Sequence, residues 1–228
     1  MAGIYNFLYI LVITMFTIVT AADYCNMKSC SKKGDHTMCK YSSSKPAKEC
    51  GQTSRTGLTD KEKKEIVDKH NELRQKVASG AEKRGNPGPQ PKAVSMSNVT
   101  WDKELEEICQ RWVNQCISGH DKCRGVDRFT VGQNMARVYS KGNITANMTQ
   151  MILSWYNEVN DFNNTKVEKY EFDSKIGHYS QLIWNDTSKI GCGIIEYKDS
   201  AGWNNIKLGC NYGSHGNVIG QKIYKIKK

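Results

Sequence analysis

"GHYSQLIW", residues 177–184, sets small polar side chains against large apolar ones behind a histidine. That alternation predicts a half-buried strand over Ser180–Trp184 with His178 at its mouth. A histidine so placed is either a hydrogen-bonded structural residue or a ligand or base, and partners elsewhere in the chain decide which. Downstream, Gly191–Tyr197 and Asn205–Tyr212 read as two more short strands, with turns at Gly193 and around Gly202.

Upstream the period changes. Thr59 to Glu62 forms a capping box ahead of Ile66, His70, Leu73 and Val77 at helical spacing, and Gly80 ends that helix. "RGNPGPQPKA" follows, with three of the four prolines, and is neither helix nor central strand. "WDKELEEICQRWVNQC" is a second amphipathic helix with Leu105, Ile108, Trp112 and Cys116 on one stripe. "MTQMILSWYNEVNDF" is a third, with Met151, Ile152, Trp155, Tyr156 and Val159 apolar. Helices first and short strands later predict an α+β or layered αβα domain and not alternating βαβ units.

The chain opens with an apolar run, Ile4 to Val19, followed by small residues at Thr20, Ala21 and Ala22. This is the pattern of a secretory signal peptide over residues 1–22, though its first residues carry no Lys or Arg. A membrane anchor needs roughly 20 apolar residues, and this run is shorter. Residues 23–58 form a cysteine-rich segment with no sustained apolar period, read as irregular and stapled through Cys25, Cys30, Cys39 and Cys50; residues 59–228 form the main domain. Nine cysteines suit an oxidising compartment, and an odd count leaves at least one outside any internal pair. Cys109, beside Ile108 on the second helix, reads as a buried thiol. Five acceptor sequons, at Asn98, Asn143, Asn147, Asn163 and Asn185, fit passage through a secretory pathway.

"GHYSQLIWNDTS" with "KLGCNYGSHGNVIG" after it, and "HNELR" and "VGQN" before it, resemble the four signature segments of the CAP superfamily of cysteine-rich secretory, antigen 5 and pathogenesis-related proteins. "DYC", "RGNPGPQP" and "NQC..GHD.C" narrow the resemblance to the antigen 5 venom allergens of wasps, over nearly all of residues 23–228. The resemblance implies an α-β-α sandwich with residues 59–228 as the CAP domain. It also implies four disulfides: Cys25 with Cys39, Cys30 with Cys123, Cys50 with Cys116, and Cys192 with Cys210. For the last pair the predicted strands are adjacent, which agrees with a cross-strand bridge.

The resemblance further implies a cleft tetrad, here His120, Gln133, Glu158 and His178, so His178 gains partners. Two imidazoles suit Zn²⁺ or another divalent ion, and His120 and His178 are the metal candidates; no cofactor is required. Gln133 stands where glutamate is commoner in the superfamily, and a neutral amide orients an imidazole but supplies neither base nor charge. Such a site binds metal weakly and is poor for catalysis, so no catalytic residue is assigned. The alternative is a metal-dependent hydrolase or protease using the central His/Glu cleft; a serine-protease form of it takes Ser180 as nucleophile, His178 or His120 as base and Glu158 as orienter, with His178 and Ser180 on one strand face. No Gly-x-Ser-x-Gly elbow or His-Glu-x-x-His helix supports it.

The net charge of +10 lies entirely outside the signal peptide and suits anionic surfaces, although "KIYKIKK", Lys61, Lys63 and Lys64 are dispersed enough for an ordinary solvated face. Nothing resembles a nucleic-acid recognition motif. The expectation is a secreted, extracellular, non-enzymatic allergen of venom or saliva. It is monomeric, is not a membrane protein, and acts by binding a host protein, a lipid or a small apolar ligand.

Overall fold

The computed structural model describes residues 22–228, so the expected signal peptide lies, but for Ala22, outside the described residues. The elements in chain order are α1 (Thr37–Lys40), β1 (Gln52–Thr56), α2 (Asp60–Ala78), β2 (Thr100–Trp101), α3 (Lys103–Val113), β3 (Val131–Ser140), α4 (Met148–Tyr156), α5 (Gly177–Leu182), β4 (Lys189–Lys198) and β5 (Asn204–Gly213). Antiparallel pairing gives the order β1-β4-β5-β3, and β2 adds a short parallel pairing to β4. The α+β sandwich expected from the sequence is the architecture found.

The sheet separates two layers. Even-numbered positions of β4 and β5, among them Ile194, Ile206 and Leu208, meet α2, α4 and α5 in the main core, with Trp155, Tyr179 and Trp184 buried there. The opposite face carries α3. A Cβ on Gly191 would lie 2.2 Å from the Glu106 nitrogen, and one on Gly193 2.5 Å from Gln110 Cα. Gly193 is therefore no turn but a position inside β4 that must be bare for α3 to dock.

Several other expectations are corrected. Residues 52–56 of the supposedly irregular segment form β1, paired to β4. The ten-residue edge strand β3 grows out of "VGQN", which the sequence reading took only as a motif. Helix α3 stops at Val113, and Cys116 lies beyond it with φ of 55°, bridged to Cys50. The third helix ends at Tyr156 and tightens into a 3₁₀ turn over Asn157–Asp161.

The largest correction concerns residues 177–184: Gly177–Leu182 is a helix and not a strand. Six residues make a marginal helix by themselves. Its ends are satisfied from afar. At the N-terminus the Glu158 carboxylate accepts the backbone N–H groups of His178, at 2.8 Å, and Tyr179, at 3.0 Å. Beyond the C-terminus the buried Arg74 guanidinium donates to the carbonyls of Leu182 and Trp184, both at 2.8 Å, and also reaches those of Ser97, Asn185 and Thr187.

All four disulfides form as the resemblance implied, and Cys109 is free and buried. Cys192 and Cys210 are register partners in β4 and β5.

Candidate ligand cleft and histidine pair

The 3₁₀ turn after α4 aims Glu158 at the start of α5, and Glu158 Oε1 also accepts from His178 Nδ1 at 2.6 Å. The indole of Trp155, its N–H donated to the Met135 carbonyl, lies nearly parallel to the His178 ring. The His178 carbonyl accepts from Asn134 Nδ2, at 3.0 Å, and the same amide reaches the Tyr212 hydroxyl at 3.3 Å. Tyr212 in turn donates to His70 Nε2 at 2.9 Å, because His70 Nδ1–H is committed to the Ile66 carbonyl. Burial pulls the His70 pKa down to about 4, so its ring is neutral.

His120 stands on the other side of the sheet edge, with Nδ1 2.7 Å from Gln133 Oε1; Gln133 Nε2 donates to Asn211 Oδ1 at 3.0 Å. Shelter of the ring lowers the His120 pKa, and the nearby charges of Arg124 and His178 act the same way, against the bond to Gln133. The four candidate residues thus form two pairs, His120 with Gln133 and His178 with Glu158, one from each layer. In both pairs Nδ1–H donates to an oxygen, so in the neutral ring it is Nε2 that keeps the lone pair. Among the described residues no group of three His, Cys, Asp or Glu side chains is arranged to hold a metal ion.

Ser180 does not serve His178. On a helix, residues two apart point to different sides. The Ser180 hydroxyl is fully buried, 2.7 Å from Asn217 Oδ1 and 2.9 Å from the Ile176 carbonyl. The shared strand face that the protease reading needed does not exist.

Next to His178 a cleft of about 480 Å³ runs between β3 and α4. Met135, Ala136, Val138, Met151, Trp155 and Ile206 line it, and Glu158 and His178 close one end. The sequon residue Asn147 also lines it, while its Oδ1 caps α4 by accepting from the Gln150 N–H at 2.9 Å. Asn98, Asn143 and Asn147 are exposed, whereas Asn163 and Asn185 are half-buried. The basic residues are partly paired, Lys63 with Glu106, Lys64 with Asp68 and Lys222 with Glu168. Among the described residues no helix is long and apolar enough to cross a membrane.

Reasoning from sequence overlooked Arg74, Asn134, Tyr212 and Asn211. The quoted motifs contain all four, yet nothing in their spacing gives the distant contact each makes.

Residues 67–212 match the cysteine-rich secretory protein family, CAP. The chain is 52% identical to venom allergen 3 of Solenopsis invicta over 91% of each chain. It is 46% identical to venom allergen 5.02 of Dolichovespula maculata, over 91% of this chain and 96% of that one. Among solved structures, NaASP2 with Zn²⁺ superposes with a TM-score of 0.63 at 27% identity, covering 75% of this chain and 89% of that one. Fold, disulfide framework and sequence likeness agree: the chain belongs to the CAP family, and its relatives are venom allergens 3 and 5 of ants and wasps.

Proposed function

We propose that this is a secreted, extracellular venom-type protein that acts by binding, without turnover, a small ligand with an apolar body. The observation that carries the reading is the cleft between β3 and α4, whose walls are mostly apolar, with Arg137 beside them and with the Glu158 and His178 end already engaged in hydrogen bonds. A host protein or a lipid surface would need a broad patch, whereas this cleft is concave and narrow. The buried Ser180 hydroxyl and the neutral Gln133 speak against hydrolysis.

Protein purified from its source, extracted and examined by mass spectrometry, should yield an apolar small molecule. Ser154→Trp, which fills the exposed wall of the cleft, should lose it. No bound molecule in the parent, or peptide hydrolysis that disappears in His178→Ala, would overturn the reading.

A second reading rests on the two free Nε2 atoms: His120 and His178 would hold Zn²⁺ or a similar ion. The relative NaASP2 is described with Zn²⁺. Two neutral ligands make such binding weak, and it should fall on acidification, because a protonated imidazole has no lone pair to give the ion. Calorimetry on the parent, His120→Ala, His178→Ala, Glu158→Gln and Gln133→Glu tests it. Both alanine variants should lose binding and Gln133→Glu should strengthen it. Absence of binding by the parent at pH 7.5 refutes it.

A further inference from the structure

On the α3-facing side of the sheet, a separate pocket of about 220 Å³ opens between β3, β5 and the chain leaving α3. Arg137 and Lys207 both line it, and they are register partners in β3 and β5. Side chains of such partners leave the sheet on the same face, where like charges repel. Lys207 is only 4% exposed. Its ammonium donates to the Ile117 carbonyl and lies 5.1 Å from the centre of the Trp112 ring. No carboxylate among the described residues comes within ion-pair distance of it.

An ammonium carries three donors, so one carbonyl and one ring face leave a buried cation without a counter-charge. Burial lowers the Lys207 pKa to about 8, with Arg137 acting the same way and Cys109 and Asp121 opposing. Arg137 is only partly engaged: Nε and Nη2 donate to Asn205 Oδ1, and the Asp199 carboxylate is 3.9 Å away.

We propose that this pocket binds a small carboxylate with a short apolar tail. The acid group sits between Lys207 and Arg137, and the tail lies against Ile117, Met135 and Tyr197. A planar carboxylate matches both a guanidinium fork and a point ammonium. The volume corresponds to on the order of seven waters, which limits the tail to a few carbons. The ligand supplies the charge that the two strands lack.

The test is a titration of the intact protein with sodium butyrate at constant ionic strength, read by calorimetry and by Trp fluorescence, with butyramide as the neutral control. Butyrate should bind saturably and butyramide should not. Lys207→Met should weaken butyrate at least tenfold yet melt no lower than the ligand-free parent, since it removes an unpaired buried charge. Arg137→Gln should weaken it several-fold, and because Arg137 also borders the cleft between β3 and α4, Lys207→Gln carries the test if Lys207→Met does not fold. Undiminished butyrate binding in the variants, or equal binding of butyramide, refutes the site. Occupancy of the apolar cleft across β3 should be the same in Lys207→Met as in the parent, so failure here and failure of the cleft reading are told apart.

Discussion

Arg74 Nη1 donates to the carbonyl oxygens of Leu182 and Trp184, each at 2.8 Å, and so ties the C-terminal part of α2 to the end of α5. The guanidinium is fully buried, and burial lowers its pKa to about 10. Among the described residues no carboxylate lies within ion-pair distance of it; five carbonyls hold it instead.

Arg74→Met should therefore destabilise the protein by about 3–5 kcal/mol, because it strands buried carbonyls, of which only that of Trp184 keeps another donor, the Thr187 N–H at 3.3 Å. Arg74→Lys should not restore the loss, since one ammonium cannot span five acceptors. Urea unfolding of the three proteins measures this. A loss below about 1 kcal/mol would mean that water takes over the carbonyls.

Glu158→Ala should leave the first turn of α5 open. The backbone amides of His178 and Tyr179 lose their acceptor, so their hydrogen exchange should speed up relative to the rest of the core, at a cost of about 1–3 kcal/mol. Glu158→Gln keeps one acceptor oxygen and should fall between. Unchanged exchange at both amides would show that the carboxylate does not cap this helix.

His70 gives the fold a defined acid sensitivity. Its folded pKa of about 4 lies below the value of about 6.5 expected when unfolded, so below pH 6.5 the unfolded chain takes up a proton that the folded one refuses. This contribution is intact above about pH 6.5 and is lost as pH falls toward 4, to a total of about 3 kcal/mol. Stability measured against pH should show a shallower decline in His70→Gln than in the parent over that window. Parallel curves would exclude the assignment.

Cys109 should resist alkylation in the native protein and react once it is unfolded. Burial shields the thiol and pushes its pKa up to about 12, so almost no thiolate is present near neutrality. Mass spectrometry after brief iodoacetamide treatment reads this directly. Rapid native labelling at Cys109 would mean that α3 opens easily.

What the sequence made legible follows the range of the interactions involved. The capping box at Thr59, the apolar stripe of α2 and the paired runs of β4 and β5 are local patterns, and the structure repeats them. The segment 177–184 was misread because its alternation is compatible with a strand, while what makes it a helix arrives from Glu158 and Arg74, 20 and 108 residues away. Gly193 was misread for the same reason, since a turn and a bare docking position use the same residue and only the approach of Gln110 distinguishes them. At the site, the identities of His120, Gln133, Glu158 and His178 could be carried from a resemblance. Their division into two pairs across the edge of β3 could not, because it depends on which face of the sheet each loop returns to.

The bridge from Cys30 to Cys123 has a bearing on how the molecule survives digestion. The stretch between Cys39 and Cys50 lies outside regular secondary structure for most of its length and carries Lys45 and Lys48, both exposed. Lys45 precedes Pro46 and resists trypsin, but a cut after Lys48 breaks the polypeptide, and the upstream piece stays attached through Cys30 while the downstream piece is the rest of the domain. Nicked protein should run as one species on a gel without reductant and as two with it. An antibody surface built from both sides of the cut would outlast the cleavage, and only thiols would dismantle it.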